Sequence, residues 1–267
     1  TVRQTSVGER IGLVAELDLE KYDYHVGTDA PVRATEATVK ERIPVRVGIR
    51  EGASLESPHV MVLMDDPKKQ LLEALYEERM SLEKLYDTDL MEDGGHVTGY
   101  AVTGVYAERV SARLRQMEAA CPGIFLAVGD GNHSLAAAKA YYEQLKAAHP
   151  DEDLSEHPAR YALVEVVNLH SPALQFEAIH RIVTGVHVED LLSKMNAALH
   201  IKKEGKGQTF YTIYNGKKKK CVIERPTSKL TVGSLQRFLD GYLAHNGGKI
   251  DYIHGEEVVE SLAREKD

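Results

Sequence analysis

Residues 127–137 read AVGDGNHSLAA and join two stretches of different character. The preceding run at 124–128 is short and apolar, which predicts a buried strand. The following run, to about Ala148, is rich in Ala, Leu, Lys, Glu and Gln, which are strong helix formers. Gly129 and Gly131 allow the chain to turn sharply between the two. The stretch therefore predicts a strand, a tight turn and a helix, a unit typical of sheets covered by helices.

The polar residues of this turn are suited to chemistry. Asp130 or Asn132 can cap the helix, and the N–H groups of its first turn favour a phosphate or a carboxylate. An acid, an amide and an imidazole at one junction can bind a metal ion, orient a hydroxyl or move a proton. We expect Asp130 and His133 to be catalytic, with Asp130 also as a metal ligand. The residues expected to bind phosphate or substrate here are Gly129, Gly131, Asn132 and Ser134. The alternative is a capped helix with an incidental histidine.

Composition narrows the class of protein. The chain has 267 residues, of which 43% are hydrophobic and 28% charged, as in globular proteins. Its net charge of -8 argues against nucleic acid as a partner. Cys121 and Cys221 suggest no disulfide framework, and neither a membrane span nor a signal peptide is seen, so we expect a cytoplasmic protein. The chain begins at Thr1 rather than at Met, and we expect it to be a fragment of a longer protein.

Along the chain, segments whose apolar residues follow the period of a strand, about 2 residues, alternate with segments that follow the period of a helix, about 3.6 residues. They predict an α+β fold with one mixed sheet and flanking helices, as a single unit over 1–267. A subdivision near 184–188 would make 188–267 a smaller C-terminal subdomain. The predicted strands are 10–19, 59–64, 96–102, 124–128, 161–169, 209–214, 221–224 and 250–254. The segment 32–43 is predicted to form a loop and a short helix, and the other predicted helices are 68–85, 105–120, 132–148, 188–199, 230–243 and 256–264.

A second group of candidate residues lies in 33–46, which reads RATEATVKERIPVR. If Thr35 caps the short helix, its first turn carries an acid. The group would then combine an anion clamp of arginines with a carboxylate base. The arginines are Arg33, Arg42 and Arg46, and the candidate bases are Glu36 and Glu41. The alternative, favoured on these residues alone, is a surface helix with Glu–Arg pairs of little energetic weight.

Polar residues at the ends of two other apolar runs form a third group. Asn168 and His170 close a buried strand, and His180 and Arg181 interrupt an apolar segment. Polar groups in such runs need partners or line a cleft, so we place these four residues in a substrate site. A hydrogen-bonded structural histidine is the alternative reading of His180.

Asp65 and Asp66 follow the predicted strand at 59–64 and precede Pro67. Paired carboxylates at a strand end can bind a divalent cation. A helix cap followed by proline is the interpretation that the sequence favours. The lysines at 217–220 flank a predicted Asn-Gly turn and indicate a solvated hairpin.

Several of these segments together resemble a bacterial family of proteins of unknown function, DUF1015. The resemblance covers nearly the whole chain. It depends on the segments RATE at 33–36, ERIP at 41–44, LMDDP at 63–67, GDGNHSLA at 129–136, VNLHSPAL at 167–174 and IHR at 179–181. Many members have an arginine after the histidine of the glycine-rich turn, where this chain has Ser134. Any role of that arginine would here fall to Arg33, Arg42 or Arg181.

The Asp-Gly-x-His core is also similar to the motif of the ParB–sulfiredoxin superfamily, which includes free serine kinases. That similarity implies a ParB/sulfiredoxin-like core in which the turn cradles nucleotide phosphates. It also implies a nucleoside phosphate and Mg²⁺ as cofactors. Glu36 or Glu41 would be the base, and Asp130 would position the metal or a hydroxyl. His133, Arg42 and Arg181 would hold phosphate.

Three functions are compatible with these residues. The first is a nucleotide-dependent phosphotransferase acting on a small molecule such as serine, since phosphoryl transfer needs mainly positioning and positive charge. The second is a nucleotide-binding regulatory or scaffold protein without catalysis. The third is a metal-assisted hydrolase that uses Asp130, His133 and His180. We expect a small-molecule substrate and a nucleotide as partners, and no membrane.

Overall fold

The computed structural model describes residues 1–25, 27–35, 38, 43–55, 60–174 and 178–265. The chain forms two compact units, Thr1–Gln175 and Phe176–Asp267. The sequence predicts a single unit with a subdivision near 184–188. The fold is α+β with a large mixed sheet, as the sequence predicts. Among the described residues, no helix is both long and apolar enough to cross a membrane.

The first unit is organised around a sheet that has nine strands among the described residues. These are β1 (Val2–Thr5), β2 (Gly8–Asp18), β3 (Tyr22–Asp23), β4 (Val32–Ala34), β5 (Met61–Met64), β6 (Lys84–Asp89), β7 (His96–Tyr100), β8 (Leu126–Asp130) and β9 (Tyr161–Asn168). Their spatial order is β3-β4-β8-β5-β9-β2-β1-β7-β6. Three neighbouring pairs, β3–β4, β4–β8 and β5–β9, are parallel, and the other pairs are antiparallel.

Helices pack on one face of this sheet. They are α1 (Ile43–Arg50), α2 (Leu72–Glu77), α3 (Gly104–Ala120) and α4 (Asn132–Ala148). Because side chains alternate along a strand, one set points toward the helices. Val62 and Val128 belong to that set and are fully buried with Leu135 of α4. α1 packs in turn on α4 through Ile43 and Val47. The central strands and α4 therefore share one apolar core.

In its described part, 178–265, the second unit has two small sheets and three helices. Its elements are β10 (Ile179–Thr184), α5 (Val188–Leu199), β11 (Ile201–Lys202), β12 (Gln208–Tyr214), β13 (Lys217–Ile223), α6 (Thr231–Asn246), β14 (Lys249–His254) and α7 (Glu256–Glu265). β10 pairs with β14, and β13 lies between β11 and β12. The predicted hairpin is present, with Asn215 at φ 50° and Gly216 at φ 67°. Positive φ at both positions is the reason that Asn-Gly favours this turn.

Two predictions of secondary structure are wrong. The helix predicted over 68–85 is reduced to α2, and a new strand, β6, begins at Lys84. Asp66 accepts hydrogen bonds from the backbone N–H groups of Gln70 and Leu71, at 2.7 and 3.0 Å, which holds the preceding residues in a turn. The segment from Val32 to Ala34, predicted as loop, is strand β4, because it pairs between β3 and β8. Neither the Asp66 turn nor the pairing of β4 with β3 and β8 can be recognised from the local pattern of apolar residues.

A buried ion pair lies on the sheet face opposite the helices. Arg10 donates to Glu165 at 2.9 Å, and the two side chains are 12% and 6% exposed. Gly12 neighbours Glu165 across the β2–β9 pairing, and a Cβ at Gly12 would lie 2.1 Å from Glu165 Oε1. The missing side chain therefore provides the space that the carboxylate fills. Buried pairs of this kind are costly to break from one side.

We expect Gly12→Ala to destabilise the protein by about 1–3 kcal/mol, because the carboxylate is held by Arg10 and has little room to move. The free energy of unfolding from urea titration is the measurement. Gly48→Ala is the matched control, since a Cβ there meets nothing within 4 Å and lies in helix α1. It should be neutral or stabilising by up to about 1 kcal/mol. Equal stability of the two variants would contradict a tight fit at Gly12.

Candidate functional site

The carboxyl ends of β4 and β8 lie side by side because these strands are parallel, with Ala34 opposite Val128. Thr35, which follows β4, donates a 2.6 Å hydrogen bond from its Oγ1 to the carbonyl of Val128. This places the end of the arginine-rich segment beside the glycine-rich turn. The Thr35 hydroxyl ties two strands together, whereas the sequence pattern suggests a helix cap at this residue.

A β-bulge lies where β8 approaches the turn. β5 pairs with β8 through Val62 and Val128, but the next pairing joins Met61 to Asp130, so Gly129 is an extra residue. A Cβ at Gly129 would lie 2.9 Å from the side chain of Leu63. Bulges re-aim the side chains that follow them and are common beside active sites. Here the bulge sets the direction in which the chain leaves the sheet at Asp130.

Gly131 makes the turn itself. Its φ of 86° and ψ of 21° are left-handed, which costs a residue with a Cβ roughly 1–2 kcal/mol. Asp130 Oδ1 accepts a 2.8 Å hydrogen bond from the Gly131 N–H, and Asp130 is exposed. The expectation that Asp130 or Asn132 caps α4 is wrong, because Gly131 is the cap residue and no side-chain cap bond is found among the described residues. The Asp130 carboxylate therefore faces solvent at the start of a 17-residue helix.

The remaining residues of the turn are less exposed. Asn132 is only 4% exposed, and His133 and Ser134 are half-buried in the first turn of α4. The N–H groups of a helix's first turn have no partners within the helix, which favours an anion there. The polar groups of the turn are thus arranged around one strand–helix junction, as the sequence predicts.

The arginine-rich segment is only partly described. Arg33 lies on β4 and donates from Nε to the carbonyl of Ala30 at 2.6 Å. Arg46 is half-buried on α1, the helix that packs on α4. The other three candidates of this segment, Glu36, Glu41 and Arg42, lie outside the described residues.

Four other candidates lie at the opposite end of the same strands. β5 and β8 are antiparallel, so Asp65, which follows Met64, is beside the start of β8 and not beside Asp130. With a rise of about 3.3 Å per residue, the two aspartates are roughly 13 Å apart along the sheet. β9 is parallel to β5 and brings Asn168 to this same end. The sheet therefore divides the predicted site residues of the first unit into two groups.

The group at this second end is hydrogen-bonded internally. His170 Nε2 lies 2.7 Å from Asp65 Oδ1. The buried Asn168 donates from Nδ2 to the Asp66 carbonyl and to Glu73 Oε1, both at 2.9 Å. Because the Asp66 side chain also accepts two backbone N–H groups, it is engaged in a turn before α2. This arrangement favours the structural interpretation of Asp65 and Asp66 over a cation site.

His180 and Arg181 lie on β10 in the second unit, opposite Ile253 and Tyr252 of β14. Adjacent residues of a strand point to opposite faces, so the two side chains are separated by the sheet. Arg181 donates from Nε to Gln236 at 3.0 Å and lies 5.4 Å from the Tyr252 ring centroid. Burial lowers the pKa of Arg181 from its ordinary value. The two residues therefore do not act as a pair on one face.

Among the described residues, no group of three or more His, Cys, Asp or Glu side chains is placed to hold a metal ion. The lysines at 217–220 lie on the exposed part of β13, as the sequence predicts. Lys218 contacts Glu256 and Glu260 of α7, and the Lys218 hydrogen bond lowers the pKa of Glu256. This lysine run is therefore partly neutralised within the second unit.

Sequence reasoning missed Glu165. It lies inside the apolar run of β9, and a charged residue in such a run must find a partner. Both Glu165 and Asp130 are register partners of Met61, on its two sides. The Arg10–Glu165 pair is therefore about two strand spacings, roughly 10 Å, from the glycine-rich turn.

Thr35→Val is expected to destabilise the protein by about 1–2 kcal/mol, since it leaves the buried Val128 carbonyl without the Thr35 donor. The measurement is the free energy of unfolding by urea, together with hydrogen exchange of the β8 amides. Thr35→Ser is the matched control because it keeps the hydroxyl, and it should stay close to the parent protein. A Val variant as stable as the Ser variant would show that this bond does not tie β4 to β8.

Comparisons with known proteins give one match. A family model, described as protein of unknown function (DUF1015), matches residues 1–242. No curated protein and no solved structure matches this chain. The expected ParB/sulfiredoxin-like core therefore stays a prediction. Because the family model covers most of both units, including the glycine-rich turn, the chain belongs to the DUF1015 family.

Proposed function

We propose that this protein is a nucleotide-dependent phosphotransferase that acts on a small hydroxyl-bearing molecule such as serine. The observation that carries the proposal is the junction of β8 with α4. There an exposed carboxylate, Asp130, precedes a left-handed glycine and the first turn of a long helix. The parallel strand β4 ends beside it and is tied to it by Thr35.

The residues present suit a nucleoside phosphate. The absence of a Cβ at Gly131 lets a phosphate approach the backbone, and the N-terminus of α4 favours negative charge. Asp130 is the residue that would hold Mg²⁺, since an exposed carboxylate oxygen is a ligand that this ion prefers. The nucleotide would supply the transferable phosphoryl group.

The roles of the chain's own residues follow from this arrangement. Asp130 orients the acceptor hydroxyl, and His133 with the first-turn amides of α4 holds phosphate oxygens. Glu36 or Glu41 takes the proton of the acceptor hydroxyl, a role that rests on the similarity of the glycine-rich turn to the ParB–sulfiredoxin superfamily. Phosphoryl transfer requires mainly positioning and charge stabilisation, and the polar groups at this junction are of the types that can provide both.

The test is phosphorus NMR of the protein with Mg²⁺, a panel of nucleoside di- and triphosphates, and L-serine among several amino acids. A new phosphomonoester signal is expected. Asp130→Asn keeps the size of the side chain and removes its charge, so the rate of product formation should fall about a hundredfold or more. Circular dichroism and thermal unfolding check that the variant is folded.

Asp65→Asn is the matched control for this experiment. Asp65 is also exposed and also follows a strand, but it lies at the opposite end of the sheet. Turnover should be unchanged in this variant. Loss of turnover in Asp65→Asn with full turnover in Asp130→Asn would transfer the site to the Asp65–His170 end. Nucleotide line broadening without any product would support the regulatory-protein alternative.

A further inference from the structure

A groove between α2 and α3 lies apart from the glycine-rich turn. It encloses about 360 Å³, which is in the range of small-molecule sites. Its floor is apolar and includes Leu71, Leu75 and Val110, while Arg109 and Arg113 stand along α3 at one side. None of its residues belongs to the site proposed above.

At each end of this groove, a polar contact connects α3 to a residue that flanks α2. At one end Arg109 donates to both carboxylate oxygens of Glu78, and the longer of the two bonds is 3.0 Å. At the other end Arg113 contacts the side-chain oxygen of Gln70. These links join α3 to residues before and after α2, and the apolar floor lies between them.

The two arginines differ in how their charge is balanced. Arg109 is paired with a carboxylate, whereas the contacts of Arg113 within the described residues are with the amide oxygens of Gln70 and Gln116. Amide oxygens carry partial charge and leave the guanidinium charge uncompensated. A carboxylate that replaced these amide oxygens would form charge-assisted hydrogen bonds with Arg113, which are roughly twice as strong as neutral ones.

We propose that this groove binds a small monocarboxylic acid with an apolar tail. The carboxylate lies on Arg113, whose planar fork matches two carboxylate oxygens, and the tail lies over Leu75 and Val110. A single carboxylate fits because one charge in the groove lacks a carboxylate partner. A tail is needed because the floor between the polar ends is apolar.

The probe is octanoate, titrated into the full chain and followed by amide chemical shifts in two-dimensional NMR. Saturable shifts are expected for residues of α2 and α3. Acetate has the charge without the tail, and octanol has the tail without the charge, so each should bind at least about tenfold more weakly than octanoate. Equal binding of octanol and octanoate would overturn the role of Arg113, and absence of saturable octanoate binding would overturn the proposal.

Variants of α3 provide the matched comparison. Arg113→Gln removes the charge and should weaken octanoate binding at least about tenfold. Arg115→Gln makes the same change at an exposed position of the same helix and should leave the affinity unchanged. Thermal unfolding of both variants separates lost binding from lost structure. If Arg113→Gln fails to fold, Val110→Asp, which places a negative charge on the floor, should abolish binding; retained affinity in it would contradict the proposed tail position.

Discussion

The position of β8 between β4 and β5 is the constraint on which the first unit depends. β8 runs parallel to one neighbour and antiparallel to the other, so its two ends meet different parts of the chain. Its carboxyl end meets Thr35, and its amino end lies beside the end of β5. Its buried face anchors α4 through the core around Val128 and Leu135. Strand order therefore decides which polar residues become neighbours.

This order explains why residues that look equivalent in sequence have different surroundings. Asp65 and Asp130 both follow apolar strands, but the strands are antiparallel, and the two carboxylates lie at opposite ends of the sheet. Asp66 is engaged by the backbone of the turn before α2, whereas Asp130 is exposed at the start of α4. Its exposure at a helix N-terminus makes Asp130 a candidate for chemistry, whereas the buried Asp66 is a structural residue.

The face of the sheet away from the helices is less apolar than the face they cover. It carries the Arg10–Glu165 pair and exposes Val14 and Leu163 to 48% and 38%. Charge is tolerated there because each partner neutralises the other and Gly12 provides the space. The covered face, by contrast, is filled by residues such as Val62 and Val128 that are fully buried. The face that the helices cover thus carries the apolar core of the unit, and the opposite face carries the buried ion pair.

The sequence by itself determined the α+β class, most strands, the long helices and the glycine-rich turn. Each of these depends on local periodicity or on residues with a special backbone, as with α5, whose bounds match the prediction, and the Asn215–Gly216 hairpin. Only the tertiary structure decided that Thr35 ties β4 to β8, that 84–89 is a strand, and that Asp65 is remote from Asp130. It also revealed Arg10 as the partner of Glu165. Such facts depend on strand order and register, which bring together residues far apart in the chain and leave no local pattern.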